Sequence, residues 1–233
     1  MTRFARWHIW LGWLVGLPIL MWTVTGLVMV AKPIEEVRGT HLRLADEAQP
    51  LPASFAMPSM AQMAVDDDGS QAKSVATTMV DGQPVTRIEY MDGTVRRFDV
   101  DGTIIPALDE AAARAIVARQ IAGGKDVASA TFFEADDVPF DFRRPVPVWQ
   151  VALADGTHVY VGRDTGNVEA VRTRWWRLFD TMWGLHIMDL QTREDTSHPI
   201  LIGFAALAVV SSLLGCVLMF RRRKTRAAAP AHG

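Results

Sequence analysis

Cysteine is almost missing from this chain: among 233 residues there is one, Cys216. A single cysteine excludes an intrachain disulfide and any metal site built on several thiolates, so a folded part must be held by burial alone. Nucleotide chemistry is missing too. There is no Gly-rich phosphate loop, no dinucleotide fingerprint, no G-x-S-x-G elbow and no H-E-x-x-H pair. Charge is missing from two long stretches. Residues 9–31 (IWLGWLVGLPILMWTVTGLVMVA) and 199–220 (PILIGFAALAVVSSLLGCVLMF) carry none. At ~1.5 Å per residue the first is a helix of roughly 34 Å, enough to cross a bilayer core of about 30 Å.

The charges that are present are sorted. Arg3 and Arg6 precede the first apolar run, and Arg221, Arg222, Arg223, Lys224 and Arg226 follow the second. The ends hold no acid, while residues 32–198 carry 17 basic and 26 acidic side chains, a net of −9. Lysine and arginine beside a span resist translocation, so both ends are expected in the cytoplasm and residues 32–198 outside, in the periplasm of a bacterial inner membrane. The first run is too long for a signal-peptide core, and Pro33 disfavours cleavage, so it is expected to stay as an anchor. The basic tail is explained by orientation and anionic lipid, not by nucleic acid.

Between the runs, residues 32–44 (KPIEEVRGTHLRL) read as a neck, and residues 32–57 as neck and linker. A short helix is expected over 58–65. Segments 74–79, 84–91 and 95–100 are rich in β-branched residues and are separated by Asp81-Gly82, Asp92-Gly93 and Asp101-Gly102, a hairpin signal. Residues 108–121 carry apolar positions at Leu108, Ala111, Ala112, Ala115, Ile116 and Ile121, a helical period that Gly123-Gly124 ends. A second meander is expected over 128–134, 146–154, 158–161 and 168–171. Residues 85–94 (VTRIEYMDGT) align with 148–157 (VWQVALADGT), an internal repeat of two helix-plus-hairpin units. Each sheet needs a cover, from its helix or from the other sheet. Residues 172–190 (RTRWWRLFDTMWGLHIMDL) read as an aromatic helix lying in the membrane surface, followed by a linker to residue 198. The fold class expected is a membrane α+β protein: two transmembrane helices flanking an extracytoplasmic domain of antiparallel sheets and helices, with cytoplasmic segments 1–8 and 221–233.

The second unit carries Trp149, Val151, Leu153, Asp155, Gly156, Val159, Tyr160, Val161, Thr165, Gly166 and Val168. Over residues 108–171 this pattern resembles the PepSY domain, and residues 58–107 hold a degenerate copy. The resemblance implies a binding or inhibitory module and no catalytic residue. The flanks, W-H-I-W-L-G-W-L-V-G-L with TGLVM and PIEEVRGTHL, and W-G-L-H-I-M-D-L-Q-T-R-E-D before the second run, are similar to the PepSY-associated transmembrane family. Some members of that family bind haem and pass electrons to ferric siderophores; larger reductases have more spans than the two here.

Of six histidines, His158 is expected as an exposed hairpin residue and His232 in a loose tail. His8, His41, His186 and His198 stand where the family signature puts them, and they are the candidate ligands of haem b, since haem iron takes imidazole on one or both faces. His8 lies at the cytoplasmic end of the first span and the other three outside. His8 and His186 of one chain therefore cannot share an iron, whereas His41, His186 and His198 could; His8 could pair only with a histidine of another chain, its own copy in a symmetric homodimer, and a membrane electron-transfer partner is the other expected associate. Two functions follow as expectations: a haem-binding electron-transfer component of the inner membrane, or a cofactor-free module that binds a peptide, protease or partner protein.

Overall fold

The computed structural model describes residues 3–45 and 49–227, so His232 lies outside the described residues. In chain order the elements are helices α1 (Arg3–Met29) and α2 (Ile34–Val37), a 3-10 turn (Thr40–Leu42) and α3 (Met60–Met63). Strands β1 (Ala72–Val80), β2 (Gln83–Tyr90), β3 (Val95–Phe98) and β4 (Ile104–Ile105) come next, followed by helix α4 (Glu110–Gln120). Then come β5 (Val127–Phe133), β6 (Val148–Leu153), β7 (His158–Gly162), β8 (Val168–Arg172), α5 (Arg174–His186) and α6 (Pro199–Ala227). They form two units, Ile34–Arg174 and the helical remainder.

The first of these units holds two four-stranded antiparallel meanders, sheet 1 (β1-β2-β3-β4) and sheet 2 (β5-β6-β7-β8). The repeat is visible in the turns. Thr94 and Thr157 N–H donate to the carboxylates of Asp92 (2.9 Å) and Asp155 (2.7 Å). Tyr90 and Leu153 N–H reach the carbonyls of Thr94 (2.9 Å) and Thr157 (2.8 Å). At the β1–β2 turn Asp81 and Gly82 both have positive φ, 53° and 76°, the geometry whose twist suits a two-residue hairpin.

Each sheet has its own core. In sheet 1, Ile88, Tyr90 and Phe98 bury against Met63, and the Tyr90 hydroxyl donates to the Met63 carbonyl at 3.0 Å. In sheet 2, Val151, Leu153, Val159, Val161, Val168 and Val171 bury against α4. Asp109 caps α4, accepting the Ala112 N–H at 2.8 Å. The helix buries Ala113, Ile116 and Val117 and leaves Ala111 and Ala115 exposed. An alanine suits either environment, so it marks the face poorly.

Sheet 2 is covered on its second face as well. The connection between β5 and β6 folds back and places Phe142 over Tyr160, ring centroids 4.8 Å apart. Phe142, Val148, Tyr160 and Ala170 form a third buried cluster. His158 is accordingly half-buried rather than exposed, its Nδ1 3.3 Å from Asp141. The neck is likewise more than a spacer. The Ala122 N–H donates to the Leu42 carbonyl and Leu44 N–H to the Gln120 carbonyl, both at 2.8 Å. A Cβ on Gly39 would lie 2.8 Å from Val171. In the acid run at 66–68, Asp66 is buried and accepts the N–H of Ser70 at 2.7 Å, while Asp67 pairs with Arg96 at 2.7 Å.

In the helical unit, Arg3–Met29 and Pro199–Arg221 are long and apolar enough to cross a bilayer. The protein is a membrane α+β protein. Trp10 and Trp13 are 74% and 81% exposed on the chain itself, as expected of side chains facing lipid or another helix. The first helix stops at Met29 rather than at residue 31; Pro33 has no N–H to bond the Met29 carbonyl and restricts Lys32 before it. The last runs on through its basic residues.

Candidate functional site

The residues WGLHIMDLQTRED (183–195) fold into a clasp. Helix α5 ends at His186 instead of residue 190. Met188, at φ 57°, takes the left-handed position that usually falls to glycine. Its N–H reaches the Leu185 carbonyl at 3.2 Å, and Asp189 N–H reaches the Gly184 carbonyl at 3.0 Å. Asp189 then turns its carboxylate back onto the chain. It accepts the N–H groups of Gln191 (3.1 Å), Thr192 (3.0 Å), Glu194 (3.1 Å) and Asp195 (3.2 Å), together with the Thr192 hydroxyl. Arg193 crosses over to the buried Asp180 at 2.5 Å, and Trp183 Nε1 donates to the Arg193 carbonyl at 3.0 Å. Gly184 is needed under this crossing, since a Cβ there would lie 2.7 Å from Arg193 Cγ.

The Thr192 hydroxyl, and after it the backbone N–H groups, hold the Asp189 carboxyl well below the usual carboxylate range. A lowered carboxyl stabilises only while it is ionised. The contribution is therefore whole above the ordinary Asp value and drains away as pH falls through the lowered one, with the loss starting at about pH 4. The protection of the amides of residues 190–195 against exchange, taken relative to their intrinsic rates, is expected to fall as pH drops below about 4, and Asp189→Asn is expected to remove that acid step. A flat profile would show that the clasp does not depend on this charge.

The clasp ends on His186. Trp22 Nε1 of α1 donates to the His186 carbonyl at 2.8 Å, and the ring packs beside Gly26, where a Cβ would lie in ordinary contact, 3.7 Å from Cε1. His186 Nδ1 lies 2.9 Å from Thr25 Oγ1. That hydroxyl donates its proton back to the Met21 carbonyl at 2.7 Å, so it accepts from the ring. Nδ1 is thereby the donor nitrogen, and in the neutral imidazole Nε2 is the one left with a lone pair. This is the arrangement in which a histidine ligates a metal while its other nitrogen is held by an oxygen.

His8 sits near the other end of α1, about 26 Å of helix from Thr25. Its ring lies on α6, where the Cβ position of Gly215 is 3.1 Å from Cε1. Its Nδ1 is buried without a protein partner. An apolar groove of about 600 Å³ runs from His8 past Gly12, Trp13, Gly16 and Leu17 to Leu20. Gly12 and Gly16 have nothing within 4 Å of their Cβ positions, so within one chain this close-approach surface is not used. His198 precedes α6, its Nδ1 also buried without a protein partner. His41 belongs to the other unit, exposed on the neck, with Nδ1 3.5 Å from the Glu35 carbonyl. Among the described residues no three His, Cys, Asp or Glu side chains are placed to share a metal ion. Sequence reasoning missed Thr25, Trp22, Gly26 and Gly215, which carry no signal apart from their spacing on the spans.

Residues 5–232 match the model of the PepSY-associated TM region. The chain belongs to this family. The match takes in both spanning helices, the two sheets and the clasp, so this PepSY-associated membrane protein is a member over nearly its whole length. No curated protein and no solved structure matches it.

Proposed function

We propose that this PepSY-associated protein is an electron-transfer component of a bacterial inner membrane, holding haem b among its helices and serving metal–siderophore reduction. The observation that carries the reading is the setting of His186: a ring held through Nδ1 by Thr25, which in the neutral imidazole makes Nε2 the nitrogen that can bind iron. His8, with a buried nitrogen that no protein group satisfies, supports a second position near the opposite end of α1. The residues fit haem in donor chemistry, since neutral imidazole nitrogen is its common axial ligand. When bound, haem supplies a one-electron iron couple.

His186 and His8 would hold the group at two depths. Each depth receives one of these imidazoles from a chain, so a second copy related by a two-fold axis completes the pairs. His41 and His198 are the further imidazoles on the extracytoplasmic side. The basic ends and the acidic middle support cytoplasmic termini and a periplasmic domain over residues 32–198. With no nucleotide-binding motif in the chain, electrons come from an external donor.

The test is an absorption spectrum of the detergent-extracted protein, oxidised and then reduced with dithionite. A Soret band that sharpens and moves on reduction is expected. A purified protein without one overturns the proposal.

A further inference from the structure

The two repeats differ in one respect that bears on binding. In sheet 2 the strands β5 and β6 are joined by residues 134–147, which fold over the sheet face away from α4. In sheet 1 the corresponding strands are joined by the two-residue turn Asp81-Gly82, so the equivalent face has no cover from its own connection.

The register shows which residues correspond. Gln150 pairs with Tyr160, and Arg87 pairs with Arg97 at the same places in sheet 1. Directly paired residues of antiparallel strands point to the same side. The open face of sheet 1 therefore carries Val85, Arg87, Glu89, Val95 and Arg97, together with Ala76 and Thr78 of the edge strand; Glu89 is the one carboxylate among them and is already paired with Lys73 at 2.7 Å. Ala76 and Thr78 are exposed and Val85 is only half-buried, whereas Val148, the counterpart of Val85, is fully buried.

The cover on sheet 2 indicates what kind of segment fits such a face. It is acidic and aromatic: residues 134–142 read EADDVPFDF. Asp141 accepts the Tyr160 hydroxyl at 2.5 Å, Gln150 Nε2 donates to that hydroxyl at 2.6 Å, and Phe142 stacks on the Tyr160 ring. Burial, and then the bond to Asp141, hold the Tyr160 phenol well above its usual value. In sheet 1 the Gln–Tyr pair is replaced by two arginines. Carboxylates complement arginine even better than they complement a phenol, because the bonds are charge-assisted. Arg97 is already anchored, its Nη2 donating to the Pro106 carbonyl at 2.8 Å. Next to it a cleft of about 240 Å³, lined by Val95, Arg97, Ile105, Arg163 and Asp164 among others, offers room for a ring; its one carboxylate, Asp164, is paired with Arg163 at 3.0 Å.

We propose that the open face of sheet 1 binds an acidic, aromatic-bearing segment of a partner protein, seated as residues 134–142 are seated on sheet 2. The interaction does not depend on a bound cofactor.

The experiment uses the full chain in detergent micelles and a fluorescein-labelled peptide EADDVPFDF as probe, followed by anisotropy. Saturable one-to-one binding that weakens with salt is expected. Arg87→Gln and Arg97→Gln are each expected to weaken it roughly tenfold. Val85→Glu, which sets a like charge against the peptide without touching either arginine, is expected to do the same and guards against a folding effect of the arginine variants. The peptide with its acids replaced by Gln and Asn should not bind. The proposal is overturned by absence of saturable binding, by equal binding of the amide peptide, or by variants that bind unchanged. It is also overturned if phosphatidylglycerol vesicles displace the peptide as well as excess unlabelled peptide does, or if the face proves to be occupied by a second copy, seen as a dimer that Arg87→Gln dissociates.

Discussion

His186→Ala is expected to remove roughly half of the Soret absorbance and leave the remainder, and His8→Ala the complementary half. The double variant is expected to have no Soret band. The argument is one of distance: the two residues act about 26 Å apart along α1, far too far to face one iron, so each loss stays local. The spectra of the residual haem should differ between the single variants. His186 is hydrogen-bonded through Nδ1 to Thr25 at 2.9 Å, and such a bond raises ligand basicity and lowers the reduction potential. The haem left in His8→Ala should therefore titrate at the lower potential. Single variants that each keep the full band, in protein that still extracts and folds, would show that neither residue is a ligand.

Gly124→Ala is expected to destabilise the α+β unit severely, by on the order of 3–4 kcal/mol, because the site allows no relief. A Cβ at this position would lie 2.0 Å from the Val117 carbonyl oxygen and 2.8 Å from that of Ile121. Both are backbone atoms at the end of α4, and Gly124 N–H itself donates to the Ile121 carbonyl at 2.9 Å. Making room means moving the last turn of α4 off sheet 2, where Val117 and Ile121 are buried. A melt followed by circular dichroism measures the effect. Gly123→Ala, with nothing within 4 Å but φ at +75°, should cost only the strain of a left-handed backbone, about 1 kcal/mol. A smaller loss at Gly124 than at Gly123 would contradict the packing described.

Much of the architecture was legible because its signals are strong and local. Two runs without charge are each long enough to cross a bilayer, and Asp-Gly between β-branched runs makes a hairpin by backbone geometry. What escaped was long-range. Residues 134–147 have no periodicity, so nothing in them announced a cover for sheet 2, and His158 read as exposed when Asp141 in fact reaches it. The strand β4, two residues long, was too short to register. On the site, His8 and His186 were legible as histidines at span ends. The tautomer of His186 was not, since it depends on a threonine more than 160 positions earlier. Asp189 stood in the sequence as one acid among many, and only its fan of backbone donors sets it apart.

The neck is stitched to sheet 2 through Leu42, Arg43 and Gly39, and β8 of that sheet runs straight on into α5. Both covalent leads from the spanning helices thus enter the extramembrane fold on its second half. Tension applied between the anchors passes through sheet 2 and bypasses sheet 1, which hangs on it as a side branch. The first repeat is in that sense free to diverge or to be remodelled by a visitor without loosening the mooring of the whole.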